Sequence, residues 1–305
     1  MHVVDPRVVT LGASGTMSVQ RTIPTRGAHR IGAWVFVDHF SVQDVDAAHA
    51  MNVGAHPHTG LQTASWLFEG VVEHRDSGGV HDFIKPGELN LMTAGRGIAH
   101  SEHSVPIDGS LQGVQLWIAL PDHARFTAPD FAHFVPTPVT GAGFTARVFL
   151  GSLLGSASPV RTHTPLLGAQ LDLEPGTRLE LSVDGAFEHG ILLDLGELTV
   201  VATDGVASAN AGQLVVLPAG STTISLEAHT RTRVVLLGGE PFEEPIIMWW
   251  NLIARTHEEI VQWRAQWVAE LEGSASSSMF GLPIDDIGGA EPVPTAPTTH
   301  LKPRV

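Results

Sequence analysis

GELNLMTAGRGIAH, residues 87–100, reads as a turn glycine, a short apolar strand and a tight turn at Thr93-Ala94-Gly95, followed by a second strand that leads to His100. The same period returns at residues 212–220, GQLVVLPAG, where Pro218 stands in the place of Thr93. Each copy is preceded by a similar turn, Val53-Gly54 in the first and Glu174-Pro175-Gly176 in the second, opening an alternating strand. Two copies of one small β-barrel account for both. Outward from these stretches, 32 glycines and 20 prolines punctuate short apolar runs such as Ile31–Val37, Gln62–Phe68, Gly113–Leu120, Gly190–Leu195 and Arg233–Leu237. Short strands closely spaced by turn residues predict an all-β chain of two antiparallel barrels.

Helical periodicity is clear in one place. Thr256 and Glu259 form a capping box, and Ile260, Trp263, Trp267 and Leu271 fall on one face before Gly273 ends the segment. The stripe predicts a core-docking helix at about 256–272. The expected organisation is a first barrel over 1–135, a second over 136–272 that ends in this helix, and a Pro/Ser-rich tail over 273–305, extended or partly disordered. The loop-like composition of Pro129–Gly143 makes it the expected linker.

Composition narrows the chemistry. The 305 residues include no cysteine, so disulfides, thiolate metal sites and cysteine nucleophiles are excluded, and no tyrosine. Lys and Arg (17) against Asp and Glu (32) leave −15, which disfavours nucleic acid and attracts cations. Seventeen histidines become the leading candidates for a transition metal. Met1 to Gly15 carries no basic-then-apolar leader and no run is long enough to span a membrane, so a cytoplasmic protein without membrane contact is expected.

Two pairs of ligand-type residues stand out: His56 with His58, and His100 with Glu102. Strand side chains alternate, so each pair presents both members to one side of its sheet. If the two strands are neighbours in a barrel, three imidazoles and one carboxylate converge inside it. That set suits iron, manganese, nickel, copper or zinc, and on a metal preferring six ligands it leaves positions open for substrate or dioxygen. His74, in Glu73-His74-Arg75-Asp76 before Ser77-Gly78-Gly79, reads as part of a solvated hairpin tip. His103 is out of phase with His100 and Glu102, and His123 and His133 sit in loop composition.

HPHTG, SWLFEGVVEHRDSGG, MTAGRGIAHSE and LLGGEPFEEPIIMWW, with IGAWVFVDHF near the start, resemble the pirin family of the cupin superfamily over roughly Arg21 to Glu270. The resemblance implies a bicupin: two stacked jelly-roll-type barrels, with one mononuclear metal, most often iron, in the first, held at His56, His58, His100 and Glu102. It implies flavonol (quercetin-type) 2,3-dioxygenase activity, or a non-enzymatic regulator whose metal tunes binding of a protein partner. The chain departs from the family's H-P-H-R-G-F-E-T at Thr59, Leu61 and Gln62, which alters the surroundings of the metal. Aligning the two copies sets Arg178 against His56, Glu180 against His58 and Thr223 or Ser225 against His100, so the second barrel is expected to hold no metal. The leading expectation is a dioxygenase acting on a flavonol-like aromatic substrate with dioxygen. Glu102 takes the substrate proton, and Gln62, Trp66 and Phe68 line the pocket.

Overall fold

The computed structural model describes residues 1–11, 17–42, 51–105, 109–286 and 288–304. Parts of two stretches read above, 12–15 near the start and 287 and 305 in the tail, lie outside the described residues. The chain is all-β, with two seven-stranded sheets, each matched to a four-stranded one. In order, the first large sheet runs Asp130–Phe134, Leu89–Thr93, Leu61–Glu69, Leu111–Ala119, Trp34–Val42, Met17–Ile23 and Arg7–Leu11. The second runs His2–Val4, Leu214–Leu217, Glu188–Leu195, Thr232–Gly239, Leu166–Leu173, Phe144–Leu150 and Val139–Gly141. The small sheets run Asn52–His58, Ile98–Ser104, Val72–Asp76, His81–Ile84 and Arg178–Ser182, Thr223–Ala228, Glu197–Ala202, Gly205–Asn210. The small sheets correspond strand for strand and the large ones in all but one edge strand, Asp130–Phe134 in the first and His2–Val4 in the second, so the echo between residues 87–95 and 212–220 is a repeat of whole barrels.

Two features at the edges were not legible. His2–Val4 pairs antiparallel with Leu214–Leu217, so the amino terminus completes the second barrel's sheet. The expected linker is itself sheet: Asp130–Phe134 pairs with Leu89–Thr93, and Val139–Gly141 with Phe144–Leu150.

The two large sheets pack face to face. Alternation on Leu61–Glu69 sends Ala64, Trp66 and Phe68 to the second barrel, into one apolar cluster with Phe149, Leu192, Val235 and Leu237. Trp66 stacks on Phe149 at 4.6 Å and donates its indole N–H to Gln170 at 2.8 Å. Arg233 lies over the Phe68 ring at 4.9 Å. Truncating a fully buried tryptophan in such an interface costs about 3–5 kcal/mol.

The second barrel is filled by aliphatic side chains, including Leu179, Leu181, Ile191, Leu193, Leu226 and Leu236. The alignment that set Arg178 and Glu180 against the first barrel's histidines puts them on the wrong face, because both are exposed while Leu179 and Leu181 point inward. The helix, α1, spans His257–Leu271 with Thr256 as N-cap in the expected capping box, and buries Ile260, Trp263 and Trp267. Among the described residues, no helix is long and apolar enough to cross a membrane.

His189 sits on the inward-facing register of Glu188–Leu195 with neither ring nitrogen partnered. Burial holds it down at about 4, below its ordinary 6.5. The unfolded chain therefore takes a proton that the folded chain refuses. Its contribution to stability is complete above pH 6.5, declines as the pH falls, and is lost below about 4, a change of about 3 kcal/mol. His189→Leu is expected to flatten the acid limb of denaturant-measured stability by about that amount; an unchanged limb would show that another group controls it.

Candidate metal centre

The His56 strand, Asn52–His58, pairs with Ile98–Ser104 so that His100 lies opposite His56, with a bulge between His100 and Glu102. On its other side Ile98–Ser104 pairs with Val72–Asp76, which places Glu102 opposite His74 and His100 opposite Asp76. The ligand atoms of His56, His58 and His100 all lie within 4.8 Å of one another. All three side chains are buried.

Each ring is turned by what its Nδ1 touches. The Nδ1–H of His56 donates to the Gly54 carbonyl at 2.8 Å, and that of His58 to the Asn251 carbonyl at 2.9 Å. Both Nε2 atoms are thereby left as bare lone pairs. For His100 the order runs through side chains. Asp76 accepts from His74 Nε2 at 3.2 Å, which leaves His74 Nδ1 to accept from His100 Nδ1 at 3.4 Å, so that His100 Nε2 is also bare. His58 Nε2 and His100 Nε2 lie 3.0 Å apart. Two lone pairs repel at that separation, and it is the edge expected between neighbouring ligands bound at about 2.1 Å to one ion. The donor set therefore fits a transition metal.

Electrostatics agree. Burial lowers His56 to about 4, opposed by its bond to the Gly54 carbonyl, and burial with the neighbouring imidazoles holds His58 and His100 well below 6.5. All three are neutral near pH 7, as ligands must be. Burial raises the Glu102 carboxyl, offset in part by His74 and by Ser65, whose Oγ lies 3.4 Å from Oε1. Glu102 does not close up on all three histidines; with His74 and His100 it forms a second group within 4.8 Å. His74 is committed to Asp76 and does not face the cavity, whereas Glu102 does.

That cavity, about 370 Å³, is lined by His56, His58, His100 and Glu102. Phe36 and Trp117 stack at 4.1 Å to form a flat wall, and the Trp117 ring meets His58 edge-on at 5.2 Å. Arg21 and Asp38, paired at 2.6 Å, and Gln115 supply polar edges, with Trp250 and Asn251 at another side. Gln62, Trp66 and Phe68, expected here as substrate contacts, are on the opposite face of their strand. Gln62 donates to Thr93 at 2.9 Å, and the two aromatic rings lie between the barrels. On that strand Ser65 faces the site.

The tail is extended but docked. Its residues 289–291 join the edge of the His56 strand: Ala55 N–H donates to the Gly289 carbonyl at 2.7 Å and Glu291 N–H to the Ala55 carbonyl at 2.9 Å. Glu291 accepts from Gly54 N–H at 2.8 Å and lines the cavity. Gly54 is required for this approach, because a Cβ there would run into the Gly289 carbonyl. His103, out of phase as expected, pairs with Asp286 of the tail at 3.0 Å. His74 corrects the solvated-tip reading: it is 2% exposed. The signal was present, since His74 and Asp76 carry the same two-residue strand spacing as the ligand pairs.

Two β-barrels joined face to face, with a buried imidazole cluster opening into a cavity of the first, define a bicupin with a candidate metal site. Comparison with known proteins gives the family: the Pirin family profile matches residues 16–118 and the Pirin C-terminal cupin domain profile residues 168–270. The chain belongs to the pirin family. It is 39% identical over 265 residues to a protein of Pseudomonas aeruginosa named "putative quercetin 2,3-dioxygenase", covering 87% of this chain and 82% of that one. It is 32% identical to human pirin over 68% of this chain and 73% of that one. The crystal structure of a quercetin 2,3-dioxygenase from Acinetobacter baumannii superposes with a TM-score of 0.88 at 38% identity, covering 98% of this chain and 96% of that one. A bacterial pirin from Escherichia coli in complex with nickel(II) shares the fold at a TM-score of 0.62 and 19% identity, over 79% of this chain and 99% of that one.

If His74 orients His100, His74→Ala weakens metal binding about 10- to 100-fold in competition with a chromophoric chelator. His103→Ala, on the other face of the same strand, leaves it unchanged. Equal losses in both variants would refute the orienting role.

Proposed function

We propose that this chain is a pirin-type 2,3-dioxygenase of flavonol-like substrates, with a mononuclear metal, iron by preference, held by His56, His58, His100 and Glu102. The observation that carries the reading is the convergence of three bare imidazole nitrogens at the inner end of a cavity with a flat aromatic wall. When bound there, the metal supplies Lewis acidity and a template at which a substrate hydroxyl and dioxygen meet.

The chain's own residues do the rest. Phe36 and Trp117 present a planar surface against which a flavonol ring system stacks. Glu102 takes the proton of the substrate's 3-hydroxyl; burial, which raises its carboxyl, makes its ionised form the stronger base. Ser65 Oγ, bonded to Gln115 at 2.7 Å, lies beside Glu102 and steadies the carboxyl. Apolar side chains such as Val19, Phe40 and Met51 keep bulk water from the reacting centre. The site-wall role expected of Gln62, Trp66 and Phe68 passes to Phe36, Trp117 and Gln115.

Iron-loaded protein incubated with quercetin in air is expected to deplete the flavonol absorbance and release carbon monoxide in equal amounts. His58→Ala removes both metal and turnover. Glu102→Gln lowers kcat about 100-fold or more in protein whose metal content is matched to the parent. Metal-replete protein that releases no carbon monoxide from any of several flavonols would defeat the dioxygenase reading while leaving the metal centre standing.

A further inference from the structure

A second cavity, about 500 Å³, shares no lining residue with the first. Its floor is apolar, formed by Val35, Ile246, Ile247, Met248 and Leu301, and its charged lining is entirely cationic: Arg30, Lys302 and Arg304, with His29 and His300 beside them. Among the described residues no carboxylate faces it, in a chain with 32 acidic residues against 17 basic ones. Elsewhere the acids are used: Arg21, Arg75, Arg125, Arg233 and Arg255 each hold a carboxylate within 4 Å. Among the described residues, Arg30, Lys302 and Arg304 hold none. Arg30 donates to the Glu244 carbonyl at 3.2 Å and lies over the Phe242 ring at 5.6 Å. Glu188 acts on Arg30 electrostatically, with its carboxylate already accepting from Gly32 N–H at 2.7 Å.

The hollow is built by the tail. Arg304 and Ile246 exchange backbone hydrogen bonds of 2.8 and 3.0 Å, and Leu301 N–H donates to His257 Nδ1 at 3.2 Å. These two anchors bracket Lys302 and hold it over the cavity with Arg304. Like charges gathered with no carboxylate paired to them repel one another, and an anion among them is attracted by all three. An apolar floor beneath a cationic rim selects an anion with an apolar body over a bare inorganic one.

We propose that this cavity is a binding site for a small organic anion, a carboxylate or phosphoryl head on an aromatic or aliphatic body. The site is independent of the metal and of the dioxygenase reading. Calorimetric titration of the full chain with cinnamate and with phenyl phosphate is expected to show saturable 1:1 binding for at least one, the tighter identifying the head group. Benzyl alcohol and inorganic phosphate, which carry only the body or only the charge, bind about tenfold more weakly or not at all. The double variant Lys302→Gln with Arg304→Gln, both exposed and with no side-chain partner among the described residues, loses about tenfold in affinity, whereas His58→Ala binds as the parent does. Failure of both probes to bind, inorganic phosphate binding as tightly as either, an unchanged affinity in the double variant, or loss of binding in His58→Ala would each overturn the proposal.

Discussion

The candidate metal centre depends on where three Nδ1–H groups go. An imidazole has two nitrogens, and a metal can use Nε2 only if the proton is held on the other. Here a backbone carbonyl holds it for His56 and His58, and His74 with Asp76 behind it holds it for His100. Each acceptor comes from a different part of the chain: Gly54 from the same strand, Asn251 from the hairpin that follows the second barrel's large-sheet strands, and His74 from the adjoining strand. The ring orientations are therefore a property of the assembled molecule, while the ligand pairs belong to local strand geometry.

The repeat gives the same skeleton two interiors. Strand orders match except at one edge of the large sheets, yet the first barrel places histidines, Glu102 and Ser65 where the second is filled mainly by aliphatic side chains. The second interior is an aliphatic filling interrupted by the unpartnered His189, whereas the first keeps a cavity and a buried carboxyl whose ionisation burial disfavours. The second barrel in turn backs the first: the large sheets meet through Trp66 and Phe149, and the chain's start at His2–Val4 is pinned into the second sheet.

Sequence alternation made His56, His58, His100 and Glu102 legible because period two fixes which residues share a face. It does not say which face looks into the barrel and which meets a neighbouring sheet. Trp66 and Phe68 were in phase with one another, and the inter-barrel core claimed that phase. Phe36 and Trp117, the stacked wall, come from strands paired across the sheet, a relation that no local pattern carries. Thr256 and Glu259 announced their helix because a capping box is local. The docking of the extended tail has no local signal: it rests on Glu270, which accepts from the amides of Met279 and Gly281, and on the bonds at Ala55.

The turn between Ile247–Trp249 and Leu252–Ala254 shows how the second half of the chain serves the first. Trp249 faces Leu252, leaving Trp250 and Asn251 as the two turn residues. Trp250 has φ +52°, at a hairpin position ordinarily given to glycine. A bulky residue in that region costs about 1 kcal/mol or more. The conformation persists because its two products are both used: the Trp250 side chain walls the cavity, and the Asn251 carbonyl receives His58 Nδ1–H. Directly beneath, Gly60 lies so close to Ile253 that a Cβ would strike the Ile253 carbonyl, while Ile253 N–H donates to the Thr59 carbonyl at 3.1 Å. The hairpin is thus clamped to the residues immediately after His58, and the local strain at Trp250 is held by contacts on both sides. The strained turn and the bare nitrogen of His58 are two ends of one constraint, because the carbonyl that takes the His58 proton belongs to the residue next to Trp250.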